Sequence, residues 1–144
     1  IEHNRVNVIK GLARSGKPLL GICLGMQLLF DASYENGFNK GLGLIKGEIV
    51  PFVTDLKVPH MGWNKLNIVK HDSIVKNIDS NAHVYYVHSF YLDQYDDACL
   101  VAYSDYDAKV PGIVRSNNII GMQFHPEKSG DVGLRLLTNL KSIM

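Results

Sequence analysis

Apolar residues recur at helical spacing in three stretches of the chain. The spacing predicts helices over residues 6–14, 24–32 and 131–143. A run of helix-breaking residues at 15–18 ends the first of them. The apolar run 19–22 is too short for a helix. We therefore predict a strand there that is buried on both faces, as the strands of parallel sheets are.

The middle of the chain shows the alternation and the turn residues that are typical of short strands. These strands are predicted over residues 42–52, 65–69, 82–90, 98–103, 112–115 and 119–124. A helix, a buried strand and a second helix precede them, and a helix closes the chain. The order predicts an α/β fold with an open, mostly parallel sheet, flanking helices and additional antiparallel strands.

The composition fits one ordinary globular domain over residues 1–144. Lys and Arg number 15 and Asp and Glu number 14, a balance that excludes nucleic acid and anionic membranes as main partners. The chain contains no apolar run of about 18 residues and no signal-peptide pattern. Cys23 and Cys99 are far apart and fit no disulfide framework or zinc site. We expect a cytoplasmic protein with reduced cysteines and no metal.

The start of the chain is unusual for an α/β domain. It begins at Ile1, without Met, and enters its first predicted helix within a few residues. Such domains seldom begin at that point, so we expect that an N-terminal part of the domain is missing. A processed N-terminus is the alternative.

Residues 21–25, Gly-Ile-Cys-Leu-Gly, lie where the buried strand meets the second helix. The pattern is that of a nucleophile elbow with Cys23 as the nucleophile. We expect the turn to require Gly at both ends, because side chains there would clash, and the Cys23 backbone to be strained. The helix N-terminus favours a thiolate, and the Leu24 N–H can donate to an oxyanion. The alternative is a buried apolar cysteine in a glycine-rich turn.

A cysteine nucleophile needs a base and a group that orients the base. His125 follows the predicted strand 119–124, and strand ends are where α/β sheets place function. Pro126 stiffens the next turn, so Glu127 can fold back and orient the His125 ring. The other histidines have weaker claims; His60, for example, follows a proline in a predicted loop. Together with Cys23, the His-Pro-Glu run predicts a Cys-His-Glu triad rather than a surface loop.

Two segments, residues 21–27 (GICLGMQ) and 124–129 (FHPEKS), resemble the hallmark motifs of class I glutamine amidotransferases. These enzymes hydrolyse the side-chain amide of glutamine and pass the ammonia to a synthase. Residues 59–64 (PHMGWN) and 85–90 (YYVHSF) narrow the resemblance to the branch that serves histidine biosynthesis. The resemblance covers essentially the whole chain and implies a flavodoxin-like core. Members of the family begin with further β-α units, so this chain is expected to be the C-terminal two-thirds or more of the domain.

The resemblance also implies roles for individual residues. Cys23 attacks the amide, His125 shuttles the proton and Glu127 orients His125. Leu24 supplies an oxyanion N–H. The implied substrate-binding residues are Gln27, His88, Ser89 and Phe90, and the implied partner-facing residues are Trp63, Asn64, Tyr85 and Lys128. Two of these assignments have simpler alternatives: Gln27 as an ordinary helix residue and Trp63 as a core tryptophan. Met26 and Cys99 are predicted to be core residues.

The implied partner is a (β/α)8-barrel cyclase that forms a heterodimer with the amidotransferase. It uses the ammonia to make imidazole glycerol phosphate and an aminoimidazole carboxamide ribonucleotide, and the glutaminase itself needs no cofactor. One alternative is another class I amidotransferase or a gamma-glutamyl cysteine hydrolase, which leaves residues 59–64 without a role. A second alternative is a catalytically incomplete interaction fragment.

Overall fold

The structure, a computed structural model, describes residues 3–143. Its helices are α1 (His3–Arg14), α2 (Leu24–Gln27) and α3 (Gly130–Lys141), with 3-10 turns at Ser73–Val75, Asp97–Cys99 and Pro126–Lys128. Its strands are β1 (Leu19–Ile22), β2 (Ala32–Ser33), β3 (Asn39–Lys40), β4 (Glu48–Pro51), β5 (His60–Lys65), β6 (Asn67–Ile68), β7 (His83–His88), β8 (Phe90–Asp93), β9 (Leu100–Asp105), β10 (Lys109–Ser116) and β11 (Ile119–Met122). The helices predicted at the two ends of the chain are confirmed.

The strands form a main sheet in the order β1-β11-β10-β9-β6, a second sheet in the order β3-β2-β4-β8, and a β5–β7 ribbon. These mixed sheets with flanking helices confirm the predicted α/β class. Within residues 3–143, parallel pairing is confined to β1–β11 and β2–β4. Leu20 is 36% exposed, so the prediction that its strand is buried on both faces is wrong. The reason is that β1 lies at an edge of the main sheet in the described part of the chain.

Two apolar clusters cover opposite faces of the main sheet. Leu136 and Leu140 of α3 belong to one cluster, and Ala13 of α1 belongs to the other. Ile113 and Val114, neighbours on β10, divide between the two clusters, because successive side chains of a strand point to opposite faces. The sheet is therefore a central layer between helices. No helix within residues 3–143 is long and apolar enough to cross a membrane.

The second helix is shorter than predicted, and the following segment explains the difference. The carbonyls of Leu28, Leu29, Phe30 and Asp31 accept hydrogen bonds from amides of residues 41–45 instead of continuing the helix. A Cβ on Gly41 would lie 1.9 Å from the Phe30 carbonyl oxygen, so the close approach requires glycine. The same contacts hold residues 42–47 out of a sheet and leave only β4 of the strand predicted over 42–52.

Residues 60–65 form a strand, although the sequence predicts a loop before residue 65. All six pair antiparallel with β7, from His60 opposite His88 to Lys65 opposite His83. Pro, Gly and Asn in and before this segment disfavour a strand locally, so the pairing with β7 decides its conformation. Gly62 has φ 118°, a backbone angle that other residues rarely adopt.

Candidate active site

Cys23 occupies the turn between β1 and α2 with φ 53° and ψ −110°. A residue other than glycine in this region carries strain of about 1–3 kcal/mol. The turn is held on the strand side, where the Cys23 amide donates to the Met122 carbonyl at 2.7 Å. The predicted elbow is therefore present, with the cysteine at its tip.

The two glycines of the elbow are not equivalent. A Cβ on Gly21 would lie 2.5 Å from the Gly25 carbonyl oxygen, whereas a Cβ on Gly25 would meet nothing within 4 Å. The expectation of a clash is confirmed at Gly21 and wrong at Gly25. Only Gly21 is crowded, because the atoms that approach its Cα belong to the backbone of Gly25 and would be present whatever residue stood at position 25.

His125 and Glu127 form a local pair after β11. The His125 Nδ1 donates to Glu127 Oε1 at 2.6 Å, and Pro126 begins the 3-10 turn that brings the two side chains together. The His125 backbone is tied on both sides, because its amide donates to the Tyr85 carbonyl at 2.9 Å and its carbonyl accepts from Ser129 Oγ at 2.6 Å. With Nδ1 engaged, Nε2 is the ring nitrogen left for proton transfer.

The two motifs meet at one edge of the main sheet. β1 and β11 are parallel and in register, with Ile22 opposite Met122, so Cys23 and His125 follow the carboxyl ends of adjacent strands. The Cys23 Sγ lies 3.8 Å from the Val87 carbonyl oxygen and 3.9 Å from Gln123 Nε2. Among the contacts of residues 3–143 there is no thiol–imidazole hydrogen bond. Such bonds are often long or unmade before substrate binds.

Burial raises the pKa of the Cys23 thiol above its usual value. The Leu24 backbone N–H opposes this effect, while the carboxylates of Glu127 and Glu35 raise the pKa further and the Lys128 ammonium lowers it. The expectation of a favoured thiolate is therefore wrong for the thiol in this structure, because desolvation outweighs the N–H at the helix start. Cys23 rests as a thiol and must lose its proton as it reacts.

A cavity of about 230 Å³ opens beside Cys23. It is lined by Cys23, Leu24, Gln27, Glu35, Val87, His88, Ser89 and Phe90. All four residues expected to bind substrate therefore share one cavity with the elbow, whereas His125 and Glu127 are not among its lining residues.

Sequence reasoning missed three residues of this neighbourhood. Glu35 lies in a polar turn without a recognisable pattern, and Val87 contributes a backbone carbonyl, which any residue carries. Gln123 lies within the apolar run 119–124, directly after β11, and is fully buried. A buried polar residue between apolar neighbours was the one available signal, since such a side chain needs a hydrogen-bond partner.

Gln27 is buried, and its amide nitrogen is fully used. Nε2 donates to the Phe90 carbonyl at 3.0 Å and to Gln123 Oε1 at 3.1 Å. Gln27 therefore links α2 to Gln123, directly after β11, and to β8.

Of the residues expected to face a partner, those on the β5–β7 ribbon divide between its two sides, while Lys128 lies in the 3-10 turn after β11. Trp63 is 57% exposed and packs edge-on against Tyr85, directly opposite on β7, with ring centroids 5.9 Å apart. It lies in a strand, so its predicted loop is wrong, and it is not a core tryptophan. Lys128 is exposed. Asn64 instead lies on the inner face, where its amide bonds to His60 and to the Asp105 carbonyl.

Met26 and Cys99 are both buried, as predicted. Within residues 3–143, no three side chains of His, Cys, Asp or Glu are grouped to hold a metal ion.

The model of the family "Glutamine amidotransferase class-I" matches residues 2–140. The subunit HisH of imidazole glycerol phosphate synthase from Lactococcus lactis subsp. lactis is 49% identical over 135 residues, which cover 93% of this chain and 66% of the relative. The HisH subunit from Geobacillus sp. (strain WCH70) is 52% identical over 136 residues, covering 90% of this chain and 64% of the relative. The chain thus spans slightly less than two thirds of the length of these relatives.

Solved structures show the same fold. A putative GMP synthase subunit from Thermoplasma acidophilum superposes with a TM-score of 0.68 at 21% identity, covering 99% of this chain and 65% of that structure. A glutamine amidotransferase from Thermotoga maritima superposes with a TM-score of 0.65 at 18% identity, covering 96% of this chain and 53% of that structure. The amidotransferase-like fold expected from the two motifs is confirmed.

Proposed function

This chain belongs to the class I glutamine amidotransferase family, and on that premise we propose that it hydrolyses L-glutamine to glutamate and ammonia with Cys23, His125 and Glu127. One observation carries the proposal: a strained elbow cysteine opens onto a small cavity, at the same sheet edge as a histidine oriented by a carboxylate. The chain supplies the nucleophile, the base and the orienting acid that such chemistry needs.

The reaction follows from these positions. Sγ of Cys23 bonds to the side-chain amide carbon and passes its proton to His125 Nε2, while the carbonyl becomes an oxyanion that accepts from the Leu24 N–H. The carbon–nitrogen bond then breaks, and ammonia leaves with the proton from His125. Water, deprotonated by His125, attacks the thioester carbon and releases glutamate and the thiol. Glu127 stabilises the imidazolium in both halves of the reaction.

The cavity suits an amino acid. Its volume of about 230 Å³ is below the roughly 300–1,000 Å³ of pockets for drug-sized ligands. Glu35 lines it with a carboxylate that can pair with the substrate's ammonium group. Because both N–H bonds of the Gln27 amide point to protein groups, Gln27 can offer the substrate its oxygen as an acceptor. Ser89 and its backbone neighbours, His88 and Phe90, are placed to hold the substrate's carboxylate.

The ammonia has a proposed destination. The relatives of this chain are named as subunits of imidazole glycerol phosphate synthase. The proposed partner is therefore a (β/α)8-barrel cyclase, which uses ammonia to form imidazole glycerol phosphate and an aminoimidazole carboxamide ribonucleotide. The exposed Trp63, its half-buried neighbour Tyr85 and the exposed Lys128 offer an aromatic and cationic surface for this partner, since exposed aromatic side chains are common interface anchors.

The test compares the two cysteines in a complete subunit that carries these residues, assembled with its cyclase. Cys23→Ser should lower glutamate release on the order of 10³-fold or more, because a hydroxyl is a far weaker nucleophile here. Cys99→Ser is the matched control, since Cys99 is a buried core cysteine outside the cavity. Retention of glutaminase activity by Cys23→Ser would contradict the proposal.

A further inference from the structure

Two histidines whose side chains the proposed reaction does not use face each other on the inner side of the β5–β7 ribbon. His60 and His88 are directly opposite in the strand register, and they are 2% and 6% exposed. The His60 ring is stacked between Tyr86 and Tyr106, with centroid distances of 4.6 Å and 4.0 Å. Aromatic rings on both faces leave His60 only in-plane hydrogen bonds.

These hydrogen bonds run in one direction. The Phe90 carbonyl can only accept, so His88 Nδ1 donates to it at 2.8 Å. In a neutral ring the other nitrogen is then an acceptor, and it receives His60 Nδ1–H at 2.9 Å. His60 Nε2 in turn accepts from Asn64 Nδ2 at 3.2 Å. One carbonyl at the end of the chain of bonds sets both tautomers.

The other end of this series of hydrogen bonds, at Asn64, is also fixed. Asn64 Nδ2 gives its second hydrogen to the Asp105 carbonyl at 2.9 Å. Burial keeps both imidazoles neutral, since it lowers the pKa of His60 and of His88 from 6.5 to about 4. The titratable groups that face the pair are Tyr86 and Tyr106, which stack on His60, and His125, whose charge acts on His88.

The same carbonyl connects the histidines to the candidate active site. Phe90 O also accepts from Gln27 Nε2 at 3.0 Å, and Gln27 Nε2 donates to Gln123 Oε1 at 3.1 Å. Gln123 Nε2 approaches Cys23 Sγ at 3.9 Å. A continuous series of polar contacts therefore joins the inner face of β5 to the nucleophile.

We propose that His60 and His88 are positioning residues that hold the Phe90 carbonyl and, through it, the orientation of the Gln27 carboxamide. With that carbonyl in place, both Gln27 N–H bonds are directed into the protein, and the amide oxygen is presented to the cavity as an acceptor. The identity of the ligand that benefits, an amino acid with its ammonium group, rests on the proposed function. The series of hydrogen bonds from Asn64 through His60 and His88 to the Phe90 carbonyl, here called the relay, does not depend on that function.

The first experiment tests the relay through the histidine tautomers and needs no measurement of enzyme activity. Nitrogen-15 spectra of the histidines, recorded at pH 7 on the complete protein, should show Nδ1–H tautomers at both His60 and His88. The assignment is diagnostic, because free neutral histidine prefers the other tautomer. Both rings should remain neutral as the pH is lowered through 6. An Nε2–H tautomer at either ring, or protonation near pH 6.5, would overturn the relay even if the protein is an active glutaminase.

The second experiment asks whether the relay acts on substrate binding. His60 does not line the cavity, so its variants leave the cavity walls intact. His60→Leu removes the donor to His88 and should raise KM for glutamine about three- to ten-fold, the fold-change of one net hydrogen bond, with kcat changed less than KM. His60→Asn keeps a donor near the Nδ1 position and should restore KM to within about two-fold of the original protein.

The possible outcomes distinguish a positioning role of His60 from a packing role. They also test the relay independently of the proposed function. Equal KM values in His60→Leu and the original protein, an equal rise in both variants, or a fall in kcat with KM unchanged would each contradict a positioning role. If the original protein releases no glutamate, the proposed function fails, while the tautomer spectra still decide the relay. If His60→Leu does not fold, the tautomers of the original protein decide it.

Discussion

Two pairs of side chains, His125 with Glu127 and His60 with His88, differ in the kind of group that the histidine bonds to. His125 bonds to the carboxylate of Glu127 at the open edge of the main sheet, where the Glu127 side chain is half exposed. His60 and His88 bond to each other and to a carbonyl in a buried site. A carboxylate can orient the ring and stabilise the imidazolium that forms during proton transfer, so the first pair suits catalysis. Neutral acceptors and aromatic walls prepare the second pair to stay neutral, which suits support rather than proton transfer.

The largest expected effect comes from removing the His125 imidazole, which bonds to Glu127. His125→Asn should lower glutamate release of the assembled enzyme about 10³-fold or more, because it removes the group proposed to take and return the thiol proton. His71→Asn is a matched control, since His71 is an exposed histidine outside the cavity and should leave the rate unchanged. A rate loss in His125→Asn below about ten-fold would mean that another group moves the proton.

The outer face of the ribbon that carries the buried pair provides the next test. Trp63→Ala should weaken assembly with the cyclase by about 2 kcal/mol or more, as loss of a large aromatic anchor does. Turnover of the cyclase with free ammonia should be largely spared. Phe38→Ala is the matched control, because Phe38 is an exposed aromatic residue in a different part of the chain. Unfolding of the isolated protein by Trp63→Ala, with assembly of the folded fraction unchanged, would assign Trp63 to stability instead.

The smallest expected effect is a pH dependence of stability that comes from the buried pair. The folded protein protonates His60 and His88 only near pH 4, whereas the unfolded chain protonates histidine near 6.5. As the pH falls from 6.5 towards 4, the unfolded chain therefore binds protons that the folded chain does not. The free energy of unfolding should fall by up to about 1.4 kcal/mol per pH unit for each histidine and level off above 6.5.

Urea unfolding at pH 7, 6 and 5 measures this slope. His88→Asn removes one of the two buried imidazoles and should make the slope shallower, while His71→Asn, at an exposed position, should not. An unchanged slope in His88→Asn would show that the buried pair does not resist protonation.

Short-range features of the site were predictable because their partners are close in sequence. The clash that requires Gly21 involves Gly25, and the bond from His125 reaches only to Glu127. A strand of four apolar residues followed by a helix places the elbow cysteine without further information. The α2 helix is shorter than predicted for the opposite reason. The carbonyls that follow it accept hydrogen bonds from amides of residues 41–45, which are distant in sequence, and no pattern within the helix indicates these bonds.

The amino-acid sequence by itself determined the elbow, the His125–Glu127 pair and the alternation of helix and strand, since each depends on a residue's own backbone and its nearest neighbours. Only the tertiary structure decided that β5 is a strand, that Glu35 and Val87 line the cavity, and that the Cys23 thiol has a raised pKa. These features depend on which distant segments exclude water and supply hydrogen-bond partners. Desolvation and the direction of a hydrogen-bond relay are properties of an environment, and the folded chain creates that environment.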